Sequence, residues 1–177
     1  TYSGSGVVVD KIYEVATPYT SAQINDVRFA QSADVMYLVH PSHAVRTLSR
    51  SGHNNWSFAQ PTFTENTVPS LTGTDNHPSV VTFFEQRLVF AATNNNPQTL
   101  FFSKNAQYNN FTTGTADNDA LIYTIASNKV NAIRYLSATR ILNIGTSGGE
   151  YVLTTTNGSP VTPTSTVIRK YSNYGCV

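Results

Sequence analysis

Apolar and polar residues alternate along this chain in short runs broken by turn formers, the period-2 signature of β-strands. No stretch keeps the 3.6-residue period of a helix beyond a turn or two. One arrangement is written three times: an apolar-x-aromatic run, a few turn-prone residues, and a second strand-forming run. The copies are Val27-Arg28-Phe29 through Val39, Val81-Thr82-Phe83 through Ala92, and Ile133-Arg134-Tyr135 through Gly145, starting at 27, 81 and 133. A period of about fifty residues filled with short strands is the mark of a β-propeller or a related β-repeat array.

The pattern predicts four strands per copy. They fall near 27–31, 35–40, 45–49 and 56–63, then 80–84, 88–93, 99–103 and 120–126, then 130–136, 140–145, 150–155 and 165–171. Ahead of them Val7-Val8-Val9 and Ile12-Tyr13-Glu14-Val15 read as extended, and Ser21 as the cap of a single helical turn. The Thr-, Asn- and Pro-rich stretches 64–79 and 112–119 read as surface loops, and 94–97 as a tight hairpin loop. The expected fold is all-β, a β-propeller-like array of about three four-stranded blades in one domain. Strands and a connector occupy 1–26, and blade-like repeats occupy 27–79, 80–129 and 130–177. Phe29, Val35, Tyr37, Phe83, Leu88, Phe90, Tyr135, Ile141 and Ile144 are expected in the core between units. Three blades leave a propeller seam open, so the chain reads as a fragment of a longer one.

Composition narrows the function classes. Charged residues are 12% of the chain, roughly half the usual share, with Thr, Ser and Asn taking the polar positions and 10 Tyr and 9 Phe the bulky apolar ones. Such a surface suits contact with other subunits. The net charge of +1 gives no global field to gather nucleic acid or an anionic membrane, so contact with DNA is expected to be transient and non-specific. The closest basic residues are Arg46 with Arg50, and Arg169 with Lys170. Cys176 is the single cysteine, which leaves no intrachain disulfide and no cysteine-based metal site. No apolar run approaches the roughly twenty residues that span a bilayer as a helix, and no membrane association is expected.

Candidate chemistry is sparse. Ser49 through Gly52 to Trp56 parallels Ser103 through Asn105 to Phe111: Ser, a polar turn, Asn-Asn and an aromatic. Both resemble the Asp-box hairpin of propeller glycosidases and sugar-binding repeats without its Asp, and are read first as folding motifs, with ligand contact as the alternative. Gly148 and Gly149 supply the Gly-Gly pair of a primed hairpin turn. His40 and His43 form an H-x-x-H pair that needs a third ligand to hold a metal, and His77 beside Asp75 is the only candidate; both are read as polar turn residues instead. Glu14, Glu65, Glu85 and Glu150 are scattered, and Asp117 and Asp119 share only a loop, so the carboxylate pair of a glycosidase is not expected. Arg87 and Arg140 take the same turn position in two copies, which suggests hairpin bracing or stacking on Phe84 or Tyr135. The sequons at Asn55, Asn110 and Asn157 carry little weight in a chain this rich in Ser and Thr. We expect no enzyme, no metal and no cofactor.

Several phrases together resemble the tail nozzle proteins of short-tailed bacteriophages, also called tail tubular protein B or stabilisation proteins. They are Tyr13 to Tyr19, Phe29-Ala30-Gln31-Ser32-Ala33-Asp34-Val35-Met36-Tyr37-Leu38-Val39-His40-Pro41, Thr82-Phe83-Phe84-Glu85-Gln86-Arg87-Leu88 to Ala91 with Asn96 to Thr99, and Ile144 to Tyr151. The likeness runs from about Tyr13 to Cys176, and relatives are several times longer. The resemblance implies a virion structural protein with a propeller-like domain. It would assemble as a ring, commonly a hexamer, that closes the DNA channel and meets the phage adaptor and tail fibres. It transfers no catalytic residue. The runner-up is a carbohydrate-binding or glycan-processing propeller, supported by the Asp-box-like turns and by Trp56 and the tyrosines.

Overall fold

Each of the three repeats folds into one antiparallel sheet of four strands that follow one another in chain order. The computed structural model describes residues 2–4, 7–9, 13–66, 70–71, 73–126, 130–155 and 158–176. A short hairpin comes first, β1 (Tyr2–Gly4) with β2 (Val7–Val9). The first sheet is then β3 (Arg28–Ser32), β4 (Val35–His40), β5 (His43–Gly52) and β6 (Asn55–Ala59). After the two-residue β7 (Thr64–Glu65), the second sheet takes β8 (Pro78–Phe84), β9 (Arg87–Thr93) and β10 (Thr99–Phe102). Its fourth strand follows β11 (Asn110–Phe111) as β12 (Leu121–Thr124). The third sheet is β13 (Ile133–Ala138), β14 (Leu142–Thr146), β15 (Gly149–Thr155) and β16 (Thr166–Ser172). The fold is all-β.

The middle sheet explains the stacking. Successive strand residues point to opposite faces, so a strand covered on both faces reads as a continuous apolar run, as Leu88-Val89-Phe90-Ala91-Ala92 does. Every residue of β9 is buried. Leu88, Phe90, Val81 and Phe101 join Tyr37, Val39 and Val45 in a core between the first and second sheets. Val89, Ala91, Val80 and Phe102 join Ile133, Leu142, Ile144 and Leu153 in a core between the second and third. The sheets come together at their first strands, with β8 against β3 and β4 on one side and β13 on the other.

Three residues expected in the core are on the surface. Phe29 is 63% exposed because it pairs with Leu38 on the outer face of the first sheet, opposite the Ala30–Tyr37 pair that meets the second sheet. Tyr135 (39%) follows a register shift after Ile133 and pairs with Gly145 on the outer face of the third sheet. Ile141 (37%) ends a turn, and Leu142 begins the strand and faces the core instead. Val35 and Phe83 are half-buried, while Tyr37, Leu88, Phe90 and Ile144 are buried.

Other local expectations also change. Residues 13–18 form no strand, and Ile12 lies outside the described residues. The single helical turn is a 3-10 turn, Ile24–Asp26, with Gln23 rather than Ser21 at its N-cap. The stretch 64–79 is more than a surface loop: β7 pairs in parallel with β11, Leu71 and Asn76 are buried, and β8 begins at Pro78. The third repeat's central turn is Ser147-Gly148, with Gly149 already paired to Thr146 as the first residue of β15, so the Gly-Gly pair does not form the turn by itself. Gly149 has φ +156, and a Cβ there would meet the carbonyl oxygen of Ser172 at 2.8 Å.

Candidate functional site

The two Asp-box-like segments both link a third strand to a fourth, yet they fold differently. The first is the β5–β6 hairpin, with Gly52 paired to Asn55 and a register shift between Arg50 and Gly52 that leaves Ser51 as the extra residue. Ser49 pairs with Ser57 inside the sheet; the serine that reaches the turn is Ser51, whose Oγ donates to the Asn55 carbonyl (3.4 Å). Trp56 Nε1 donates to the His53 carbonyl (3.1 Å), and the Arg50 guanidinium sits 5.8 Å from the Trp56 ring centre. Arg50 also approaches Asp34 (3.9 Å) and His53 Nδ1 (3.2 Å).

The second segment is an irregular loop with a buried anchor. Ser103 is fully buried; its Oγ accepts from Leu88 N (2.9 Å) and donates to the Lys104 carbonyl (3.0 Å). Asn105 N donates to the Asn118 carbonyl, and Phe111 packs on Phe63 (5.5 Å) and Phe90 (5.7 Å). Both segments are turn motifs, and their partners come from the fold.

His40 and His43 are more than polar turn residues. Their ring centres are 5.0 Å apart, and His40 is only 3% exposed. Tyr19 meets His43 edge-on at 5.3 Å and His40 at 6.0 Å. His40 Nδ1 accepts from Ser42 N (3.0 Å), and His43 Nε2 shares a 3.0 Å hydrogen bond with Gln23 Oε1. Burial first, then the neighbouring His43, holds the His40 pKa below its ordinary value, with Asp26 pulling the other way. His77 and Asp75 line a separate pocket beside Val45 and Leu71, and among the described residues no group of three metal-ligating side chains forms. The structure keeps the pair and parts it from its proposed third ligand. The signal was weak in the sequence, since Tyr19, which packs on both rings, comes from a connector distant in the chain.

The carboxylates are tied to the fold one by one. Glu65 accepts from Ser70 Oγ and Leu71 N (both 2.7 Å), Glu85 from Val161 N, and Glu150 from Ser172 Oγ (2.8 Å) and Tyr135 Oη (3.3 Å). Asp119 holds Lys104 Nζ (2.7 Å) and accepts from Ala116 N; these bonds keep its carboxyl below the usual range. Asp117 and Asp119 instead offer their carbonyls to Arg87. Of the basic pairs, Arg46 is half-buried under the connector, Arg50 is engaged at Trp56, and neighbouring Arg169 and Lys170 project to opposite faces of β16. None of these pairs makes a basic cluster.

Two concavities stand out. A cleft of about 500 Å³ opens where the first strands of all three sheets converge, lined by Arg28, Ser79, Ile133, Arg134 and Asp26. A groove of about 520 Å³ on the outer face of the first sheet is lined by Tyr13, Tyr19, Leu38, Leu48, Trp56 and Phe58. Apolar walls with a few polar groups are what a small-molecule or partner site requires. Compared with known proteins, the chain matches no family model, and no curated protein is similar to it.

Proposed function

We propose that this chain is a structural piece of a bacteriophage tail, a nozzle or tail tubular protein that forms part of the DNA-ejection conduit and docks adaptor and tail fibre proteins. One observation carries the reading: two of the phrases on which the resemblance rests are the inner hairpins that join the stack. Phe29 to Pro41 spans most of β3–β4, and Thr82 to Ala91 spans most of β8–β9. In this reading the three sheets are consecutive propeller blades with their first strands innermost. Chain-order strands, closest approach at β3, β8 and β13, and a middle sheet covered on both faces support it.

Register adds to this. Phe29 pairs with Leu38 as Phe83 pairs with Leu88, and Phe83 uses that place to meet Tyr37 of the preceding sheet (6.0 Å). Exposed Phe29 then marks where a further blade would pack. The protein would act in the virion without a catalytic step or cofactor, as a ring, commonly a hexamer, passing DNA with weak affinity and no sequence preference. The outward-facing parts of the 64–79 connection and of loop 94–98 are the proposed ring contacts, with aromatic side chains favoured over charges there.

Electron microscopy of the full-length parent or of the intact particle tests this. We expect a closed ring at the tail tip, and a lone monomer, or a place outside the tail, ends the proposal. One observation favours the carbohydrate-binding alternative, the groove with Trp56 and Tyr13 on its wall. Against it, Arg50 already lies over the Trp56 ring. A glycan-array signal lost on Trp56→Ala would move the conclusion to that reading.

A further inference from the structure

We propose that residues 13–26 form an acid-releasable strap, latched by His40 across the outer face of the first sheet. Tyr19 and Gln23 hold the strap on that face. The Tyr19 ring meets His43, His40 and Phe58, the last edge-on at 6.3 Å. Gln23 Oε1 serves twice: it takes Thr20 N (3.1 Å), closing the strap's own turn, and bonds His43 Nε2 (3.0 Å). Strap and sheet together wall the groove that contains Leu38, Leu48 and Trp56.

The latch has no acceptor for a proton-bearing nitrogen. Because His40 Nδ1 accepts from Ser42 N, the neutral ring carries its proton on Nε2, which is buried and finds no partner among the described residues. Tyr19 Oη and Arg46 Nε are also buried without partners among the described residues. A second proton must enter at Nδ1. It breaks the Ser42 bond and places a cation beside His43 from β5 and against Tyr19 from the strap, the tyrosine on which Arg46 of β5 also acts. Asp26, also on the strap, pulls the other way, and its pull is smaller than the effects of burial and His43.

The direction follows. The latched form binds this proton less readily than the released form, whose histidine titrates near its free value of about 6.5. Latching is therefore at full strength above that pH and weakens as pH falls towards the depressed value. Over that window each pH unit shifts the latched-to-released ratio by up to about tenfold. Release uncovers the apolar side chains of Leu38, Leu48 and Phe58. The strap is independent of the phage reading.

Trp56, the chain's single tryptophan, lines the groove and reports on it. Emission should shift reversibly to the red between pH 8 and 5 with a midpoint below about 6.5, together with loss of exchange protection at the Asp26 amide, which bonds Gln23 O. His40→Phe, which keeps a ring and removes the titration, should abolish the shift. His53→Gln, beside Trp56, should retain it. No shift in the wild-type protein, a shift that survives His40→Phe, or one lost in His53→Gln overturns the proposal. Should His40→Phe fail to fold, nuclear magnetic resonance of the wild-type chain decides: the His40 ring and the strap amides must titrate together, and separate titrations overturn it.

Discussion

The second and third hairpins occupy the same place in the repeat and are held in opposite ways. In the second, Glu85 and Gln86 both take left-handed backbone angles (φ 46 and 59), the pair a primed turn requires and one that non-glycine residues adopt at a cost of about 1–2 kcal/mol each. Tethers from distant segments hold it: Ala106 N donates to the Gln86 carbonyl (2.8 Å), and Val161 N to Glu85. Behind it Arg87, 1% exposed, donates to the carbonyls of Ser103 (2.8 Å), Asp119 (2.6 Å) and Asp117 (2.7 Å). In the third, Arg140 is exposed at the tip of a turn closed by Thr139 N to the Ile141 carbonyl (3.0 Å). No ring contact of either arginine with Phe84 or Tyr135 forms among the described residues. A repeated position does not carry a repeated role; the long connection 103–120, folded back under one hairpin only, makes the difference.

Replacing Arg87 should therefore produce the largest change. Arg87→Ala strands three carbonyls, one of them buried, and should cost about 2–4 kcal/mol in chemical denaturation. Arg87→Lys should recover little, because one ammonium cannot reproduce the guanidinium fork. A loss below about 1 kcal/mol would show that the loop does not depend on it.

Gly145→Ala probes how the third hairpin is held instead. A Cβ at Gly145 would lie 2.0 Å from Cε1 of Tyr135, whose ring covers the glycine. The ring is partly exposed and can swing out, so the expected cost is about 1–2 kcal/mol. In a Tyr135→Ala background that cost should vanish, and a double-mutant cycle measures the coupling. Unchanged cost in that background would place the strain in the strands.

How much of this was legible depended on the range of the interactions. The twelve strands of the three sheets follow from local alternation and turn residues, and each falls near its expected position because period-2 patterning is a local signal. Which face a strand buries is set by its neighbours, so Phe29 and Tyr135 looked like core and are not. The same limit hid the His40 site, whose burial depends on Tyr19, and separated Arg87 from Arg140, since Asp117 and Asp119 lie some thirty residues beyond Arg87. The serine that bonds the turn is Ser51 rather than the expected Ser49, because the register shift between Arg50 and Gly52 frees Ser51 while Ser49 stays paired, and such a shift is not legible in a Ser-rich turn.

Acid should separate the two hairpins more gently. Asp119 has a carboxyl held below its ordinary value, mainly by the Lys104 bond and then by Ala116 N. Its contribution is complete above the unfolded value of about 3.9 and is lost as pH falls through the folded one. Below about pH 4 the 104–119 loop should loosen and take two of the Arg87 acceptors with it, while the third hairpin stays protected in hydrogen exchange. Asp119→Asn should flatten that acid dependence, and an unchanged profile would assign it to another carboxylate.

The smallest effect expected is the sharpest control on the comparison. Arg140→Ala removes an exposed side chain at a turn tip from which no hydrogen bond or ion pair of its side chain is found among the described residues. The turn itself is closed by backbone atoms and by Thr139 Oγ1 to the Ile141 carbonyl (3.3 Å), both independent of residue 140. Stability should stay within about 0.5 kcal/mol of the parent, as for surface substitutions clear of special features. Measured beside Arg87→Ala in the same denaturant series, it tests whether position in the repeat or the loop folded beneath it decides what an arginine does. If Arg140→Ala were to cost as much as Arg87→Ala, the two hairpins would share a bracing role after all, and the contrast between them would fail.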